Sequence, residues 1–159
     1  MIHLQKVDSN NIWPLMALEV HENQKNFVAA NTVSILEAYC AITAGGVAMP
    51  YGIYDDDKPV GFLMIGYGDA DWENAPKIAE GNYSLWRFMI DKHCQGRGYG
   101  RAAMAAVLDL IRTQPCGPAE ACWLSYEPEN AAARALYHSF GFRENGEMDG
   151  EEVVAVLKL

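Results

Sequence analysis

Positive charge is scarce in this chain: 12 Lys and Arg stand against 21 Asp and Glu, for a net charge of −9. Such a surface repels phosphate backbones and anionic lipid headgroups, so neither nucleic acid nor a membrane is expected as a partner, whereas a cation is attracted. Metal-ligand spacing is absent as well. Cys40, Cys94, Cys116 and Cys122 include no CxxC pair, and His3, His21, His93 and His138 form no HExxH, so no metal is expected and the thiols read as reduced and structural. No apolar run reaches spanning length, and the opening MIHLQKVDSNN has no signal-peptide core, which predicts a cytoplasmic chain. Nothing reads as a linker or a repeat. A single domain over residues 1–159 is expected, large enough to bury a core without staples.

Hydrophobic periodicity divides that domain. IHLQKV alternates like a strand, and NNIWPLMALEV offers Asn10 or Asn11 as N-cap of a short helix with Pro14 in its first turn. HENQKNFVAA reads as a loop. NTVSILEAYCAITAGG predicts a second helix with an apolar stripe at Val33, Leu36, Tyr39, Cys40 and Ile42 and a glycine exit. MPYGIYDDDKPVGFLMIGYG predicts an antiparallel hairpin broken by Asp-Asp-Asp-Lys-Pro. After the polar connection DADWENAPKIAEGN comes YSLWRFMID, a strand with Leu85, Arg87 and Met89 on one face and Trp86, Phe88 and Ile90 on the other. Two helices follow, each opening near a small or polar residue. The first carries Met104, Val107, Leu108 and Ile111, and the second carries Ala133, Leu136, Tyr137 and Phe140; the strand AEACWLSYE lies between them, and a terminal strand pair closes a mixed α/β order.

Gly96, Gly98 and Gly100 alternate between the strand YSLWRFMID and the helix after it. A glycine-rich turn from strand to helix presents free N–H groups and a positive helix end to a phosphate, but it also serves as a plain tight turn. The spacing is neither GxGxxG nor GxxxxGK[ST], so dinucleotide and P-loop readings fit poorly. Tyr137 is open in the same way. It is either a core ring on an apolar helix face or a neutral phenol placed to give a proton.

QGRGYG at 95–100 and NAAARALYHSFGF at 130–142, in that order, resemble the acetyl-CoA loop and the second signature of the GNAT superfamily of N-acetyltransferases. LWRFMID, VHENQKNFV and NGEMDGEEVVAVLKL look like its bacterial spermine/spermidine (diamine) branch. The resemblance implies a single-domain GNAT fold: a mixed, mostly antiparallel sheet flanked by helices, with a splayed strand pair that holds acetyl-CoA. Main-chain groups of Phe88 and Ile90 would pair with pantetheine, and Gln95, Gly96, Gly98, Gly100 and Arg101 would hold the pyrophosphate. Asn130 would touch the cofactor, although N-capping alone also justifies it. Tyr137 would be the general acid for the departing thiolate.

The base does not transfer, because Trp86 and Arg87 stand where many relatives have a Glu. Water relayed to Glu22, Asp91 or a backbone carbonyl is the remaining route. The resemblance also implies a cleft walled by acid-bearing segments: Glu19 and Glu22; Asp69, Asp71 and Glu73; Glu147, Asp149, Glu151 and Glu152; with Phe27, Trp72 and Trp123 for a methylene chain. His93 and Cys94 read as bystanders. The implied activity is acetyl transfer from acetyl-CoA to a primary amine by direct attack, with a polyamine such as spermidine, spermine or a diamine as the leading acceptor. An amino acid, an aminoglycoside-like amine, a protein N-terminus and non-catalytic acyl-CoA binding are the alternatives. A homodimer would be ordinary for such a fold.

Overall fold

The computed structural model describes residues 1–68 and 70–159, so Asp69, one of the acids expected to wall the cleft, lies outside the described residues. The strands are β1 (Ile2–Lys6), β2 (Ala48–Asp55), β3 (Lys58–Tyr67), β4 (Tyr83–Ile90), β5 (Ala121–Tyr126), β6 (Arg143–Asp149) and β7 (Glu152–Lys158). They form one seven-stranded sheet in the order β1-β2-β3-β4-β5-β7-β6, antiparallel everywhere except between β4 and β5. Helices α1 (Ile12–Met16), α2 (Asn31–Thr43), α3 (Tyr99–Arg112) and α4 (Ala131–Ser139) flank it, in the order that the periodicity predicts. Among the described residues, no helix is long and apolar enough to cross a membrane.

β3 is buried on both faces, and its alternation separates two layers of core. Leu63 and Ile65 pack with Ala103, Met104, Val107, Leu108 and Ile111 of α3. Phe62 and Met64 face the other way, toward Ala38 of α2 and Met89.

Three local readings need correction. The hairpin turn is tighter than the sequence suggests: Asp55 ends β2 and Lys58 begins β3, leaving Asp56 and Asp57 as the turn, with Asp56 at φ 50°. α2 forms where expected but buries its other side. Leu36 and Tyr39 are 62% and 70% exposed, while Asn31, Ser34 and Ala38 are buried. Small side chains let the helix lie close on Phe62 and Met64, and Asn31 Nδ2 donates to the Leu15 carbonyl at 2.9 Å.

The third correction is in β4. Met64 stands opposite Arg87 and Ile65 opposite Leu85, so Trp86 is an extra residue, a bulge that resets the alternation. Leu85 therefore shares the α3 core with Phe88 and Ile90. Trp86 and Met89 face α2, and the guanidinium of Arg87 reaches Glu37 of that helix at 2.6 Å.

The bulge precedes the feature that makes room for a site. β4 and β5 pair only at Tyr83 with Cys122 and Ser84 with Trp123. That short contact is stitched from below, where Tyr83 Oη donates to the Gly117 carbonyl at 2.8 Å and Asn82 Oδ1 accepts from the Ala121 N–H at 2.9 Å. Above it β4 stays on β3 and β5 stays on β7, and the two strands part.

Close packing at the far end of β4 gives a test. A Cβ added to Gly61, opposite Ile90, would stand 2.4 Å from the Met89 carbonyl oxygen and 3.0 Å from the Cδ1 atoms of Ile53 and Ile90. Backbone cannot rotate away, so Gly61→Ala should cost about 1–3 kcal/mol, a fall of several degrees in unfolding temperature by calorimetry. An unchanged unfolding temperature would mean that β3 and β4 do not approach this closely.

Candidate active site

The parting of β4 from β5 opens a cleft of about 1000 Å³. Its far end is closed by the loop from β4 to α3, which is fixed before any ligand arrives. Asp91 is buried, and its two carboxylate oxygens accept from the N–H groups of His93 and Glu19, each at 3.0 Å. Gln95 Nε2 donates to the Ile90 carbonyl at 3.0 Å and to Gln24 Oε1 at 2.9 Å. At the start of α3, Tyr99 Oη donates to Asp55 of β2 at 2.8 Å.

Within this frame, Gly96 (φ 75°) and Gly98 (φ 80°) are left-handed, and nothing lies within 4 Å of where their Cβ atoms would stand. Those two positions require glycine. Gly100 does not: its φ is ordinary, and an added Cβ would meet Ile90 and Leu136 at 3.8 and 3.9 Å. It is the first turn of α3 that gains, since its leading N–H groups have no intrahelical acceptor and no side chain at Gly100 covers them. An empty left-handed cradle followed by free N–H groups fits a pyrophosphate, and the β4 edge left unpaired beyond Ser84 fits an amide-bearing chain.

Phe88, Ile90, Gln95, Gly96, Gly98, Gly100, Asn130 and Tyr137, all singled out in the sequence, line this one cleft. Arg101 does not. It lies over the Phe140 ring at 5.2 Å and donates to Ser139 Oγ at 3.2 Å, which spends its charge on the α3–α4 seam. Asn130 N-caps α4, its side-chain oxygen accepting from the Ala133 N–H at 3.2 Å.

The acids divide more sharply. Glu19 pairs with Lys92 at 3.0 Å and Glu22 with Lys25 at 2.6 Å, both outside the cleft lining. Asp71 and Glu73 are exposed and also outside it. Glu147 receives the Lys77 N–H at 2.6 Å and so anchors the connection ahead of β4. Among the described residues, Asp149 and Glu152 are the carboxylates that line the cleft. Of the aromatics, Phe27, Trp72 and Trp123 line it, with the two indoles stacked at 6.4 Å.

Tyr137 satisfies both of its readings at once. Its ring packs 5.7 Å from Tyr126 and 6.1 Å from Phe142, yet the residue lines the cleft. Burial, and then the nearby charge of Glu152, push its phenol up, so it keeps its proton at neutral pH. Tyr126 beside it is pushed up to about 12 by burial and by its hydrogen bond to Glu144. The same carboxylate, held down to about 2 by Tyr126, also meets Arg134 at 3.0 Å and His138 at 2.9 Å. That knot fixes α4 against β5 and β6.

Sequence reading passed over Ser125, whose Oγ donates to Glu152 at 2.5 Å, and Gln24, the partner of Gln95. Neither carries a local signal, since a strand serine and a loop glutamine acquire meaning only from what the fold sets beside them.

A splayed parallel pair, a left-handed glycine cradle and a tyrosine on α4 make a recognisable set, and comparison with known proteins agrees. The profile of the Acetyltransferase (GNAT) family matches residues 15–142. The chain belongs to the GNAT acetyltransferase family. It is 32% identical to a probable spermine N(1)-acetyltransferase of Bacillus subtilis subsp. natto (strain BEST195), and 31% identical to a spermine/spermidine N(1)-acetyltransferase of Bacillus subtilis (strain 168). Each alignment covers 157 residues and 96% of both chains. Among solved GNAT folds, aminoglycoside acetyltransferase AAC(6')-Ib in complex with coenzyme A superposes with a TM-score of 0.77 at 18% identity, covering 99% of this chain and 95% of that one. The chain is thus an acetyltransferase, with acetyl-CoA as its acetyl donor.

The cradle is directly testable. A β-branched residue at φ 80° carries strain of about 1–3 kcal/mol, so Gly98→Val should weaken coenzyme A binding by roughly ten- to a hundredfold in a calorimetric titration. Wild-type affinity in that variant would show that the donor binds elsewhere.

Proposed function

We propose that the chain acetylates a primary amine of a polyamine such as spermidine, spermine or a diamine. The observation that carries this reading is the near full-length similarity to two relatives whose names specify spermine or spermidine. The cleft supports it. Asp149 and Glu152 offer negative charge to ammonium groups, while Phe27, Trp72, Trp123 and Tyr126 offer apolar surface to the methylenes between them. Arg87 and Lys25, the cations of the described lining that would oppose such a ligand, are paired with Glu37 and Glu22.

Acetyl-CoA supplies the acetyl group as an activated thioester, and the remaining roles fall to the chain. Main-chain groups of Phe88 and Ile90 on the free edge of β4 hold the pantetheine arm. Gln95, Gly96, Gly98, Gly100 and the α3 N-terminus hold the pyrophosphate. Asn130, with its oxygen committed to the cap, keeps an amide N–H for the donor. Tyr137 holds a proton at Oη for the leaving sulfur, and its burial ensures that the proton is present across the physiological range. Arg101, Glu19 and Glu22 are engaged elsewhere, and the proposal gives them no role.

Two measurements follow. Tyr137→Phe should lower kcat by roughly ten- to a thousandfold with coenzyme A affinity unchanged, the pattern of losing one proton donor; full turnover would remove Tyr137 from the chemistry. Steady-state kcat/KM should favour spermidine over alanine, an aminoglycoside and an N-terminal peptide, with KM for spermidine rising with salt as its ammonium groups are screened. A neutral or anionic acceptor that wins by roughly tenfold or more would contradict the polyamine assignment and leave the acetyltransferase intact.

A further inference from the structure

An ammonium with a pKa near about 10 must shed a proton before its nitrogen can attack, and the positions ahead of the glycine loop supply no acid for this, only Trp86 and Arg87. Asp91 and Glu22, the acids that the sequence left open, are unsuited. The first spends both oxygens on the loop backbone and the second is ion-paired outside the cleft. The described cleft lining contains no histidine, and its carboxylates are Asp149 and Glu152.

Position distinguishes the two. Ser125 lies two residues beyond Trp123, the last β5 residue paired with β4, so it stands just inside the parting of the strands. Its hydroxyl donates to Glu152 Oε2 at 2.5 Å, which draws the carboxylate toward that point and leaves Oε1 for a ligand. The charge of Glu152 is felt by Tyr137, which lines the same cleft. Asp149 is paired with Glu152 across the β6–β7 hairpin, and among the described residues the hydrogen bond from β5 goes to Glu152.

We propose that Glu152, oriented by Ser125, is the catalytic base that takes the proton from the substrate ammonium; the assignment rests on the amine-acetylating reading above. The proton passes from nitrogen to Glu152 Oε1, which leaves a neutral amine with its lone pair free and a neutral carboxyl, and the carboxyl then returns the proton to solvent through the cleft mouth. Ser125 is a positioning residue. The groups that face Glu152 suit the task. Burial raises its proton affinity, as do Glu127 from the loop after β5 and Asp149 from β6, while Ser125 and, from β4, Arg87 moderate the rise. The result is a carboxyl that binds a proton more readily than an exposed one.

The test is the pH profile of Glu152→Gln with spermidine. At pH 7 its kcat/KM should fall by roughly a hundredfold or more, and the deficit should shrink as the pH approaches the ammonium pKa near about 10, where free amine no longer needs a base. A carboxylate that merely binds the polyamine would raise KM and leave kcat at saturating spermidine near wild type. In the unliganded protein, carbon NMR of the glutamate carboxyls should show one group titrating above the rest and missing from the variant. If that variant does not fold, Ser125→Ala serves in its place. Loss of the hydroxyl should move the acid limb of kcat/KM to higher pH, with coenzyme A affinity unchanged. Wild-type kcat in Glu152→Gln at pH 7, a deficit constant with pH, or an unmoved acid limb in Ser125→Ala would overturn the assignment. A wild-type enzyme that acetylates no polyamine would instead overturn the functional reading itself.

Discussion

Two residue pairs, Tyr83 with Cys122 and Ser84 with Trp123, are all that join the halves of the sheet, and the site depends on their being so few. One more turn of parallel ladder would consume the main-chain groups of β4 and close the cleft. The contact survives because it is braced from below by Asn82 and Tyr83. It ends because β4 carries a bulge at Trp86, and bulged strands bend and twist away from their neighbours. β5 does not follow, since all six of its residues are committed to β7.

From that parting the other parts take their places. α3 begins where β4 ends, so its free N–H groups and the left-handed glycines face the same opening as the unpaired strand edge. α4 is set on the far wall by the Glu144 knot, which brings Tyr137 to the cleft while its ring remains part of the core. β7 carries Glu152 in from the side of β5. In the proposed reading, donor binding falls to β4 and the start of α3, proton donation to α4 and proton acceptance to β7, elements that meet at the cleft because two strands separate. None of these groups is unusual alone. Their value lies in being held at fixed relative positions in a partly dry cleft, where charge and hydrogen bonding act more strongly than in water.

Much of this was legible in the sequence where periodicity or backbone chemistry is local. The order of strands and helices, the glycine-built turn between β4 and α3 and the Asn130 cap each follow from a few adjacent residues. What failed needs tertiary information. The apolar stripe of α2 is real but faces outward, because Asn31, Ser34 and Ala38 pack better at short range than the larger residues would. The bulge at Trp86 has no signature in an alternating strand, so the faces of Leu85 and Trp86 were misassigned relative to the residues after them. Acids were numerous enough that composition could not separate those tied up in ion pairs, such as Glu19 and Glu22, from the pair that lines the cleft.

The donor should lie in the gap between β4 and β5 with its phosphates at the glycine loop. Amide NMR during titration with coenzyme A reads this position by position. The largest shifts should fall on residues 96–101 at the loop and on 85–90 along the free edge of β4, with α2 and β1 little changed. Shifts concentrated away from the parted strands, or none at saturating coenzyme A, would contradict the account.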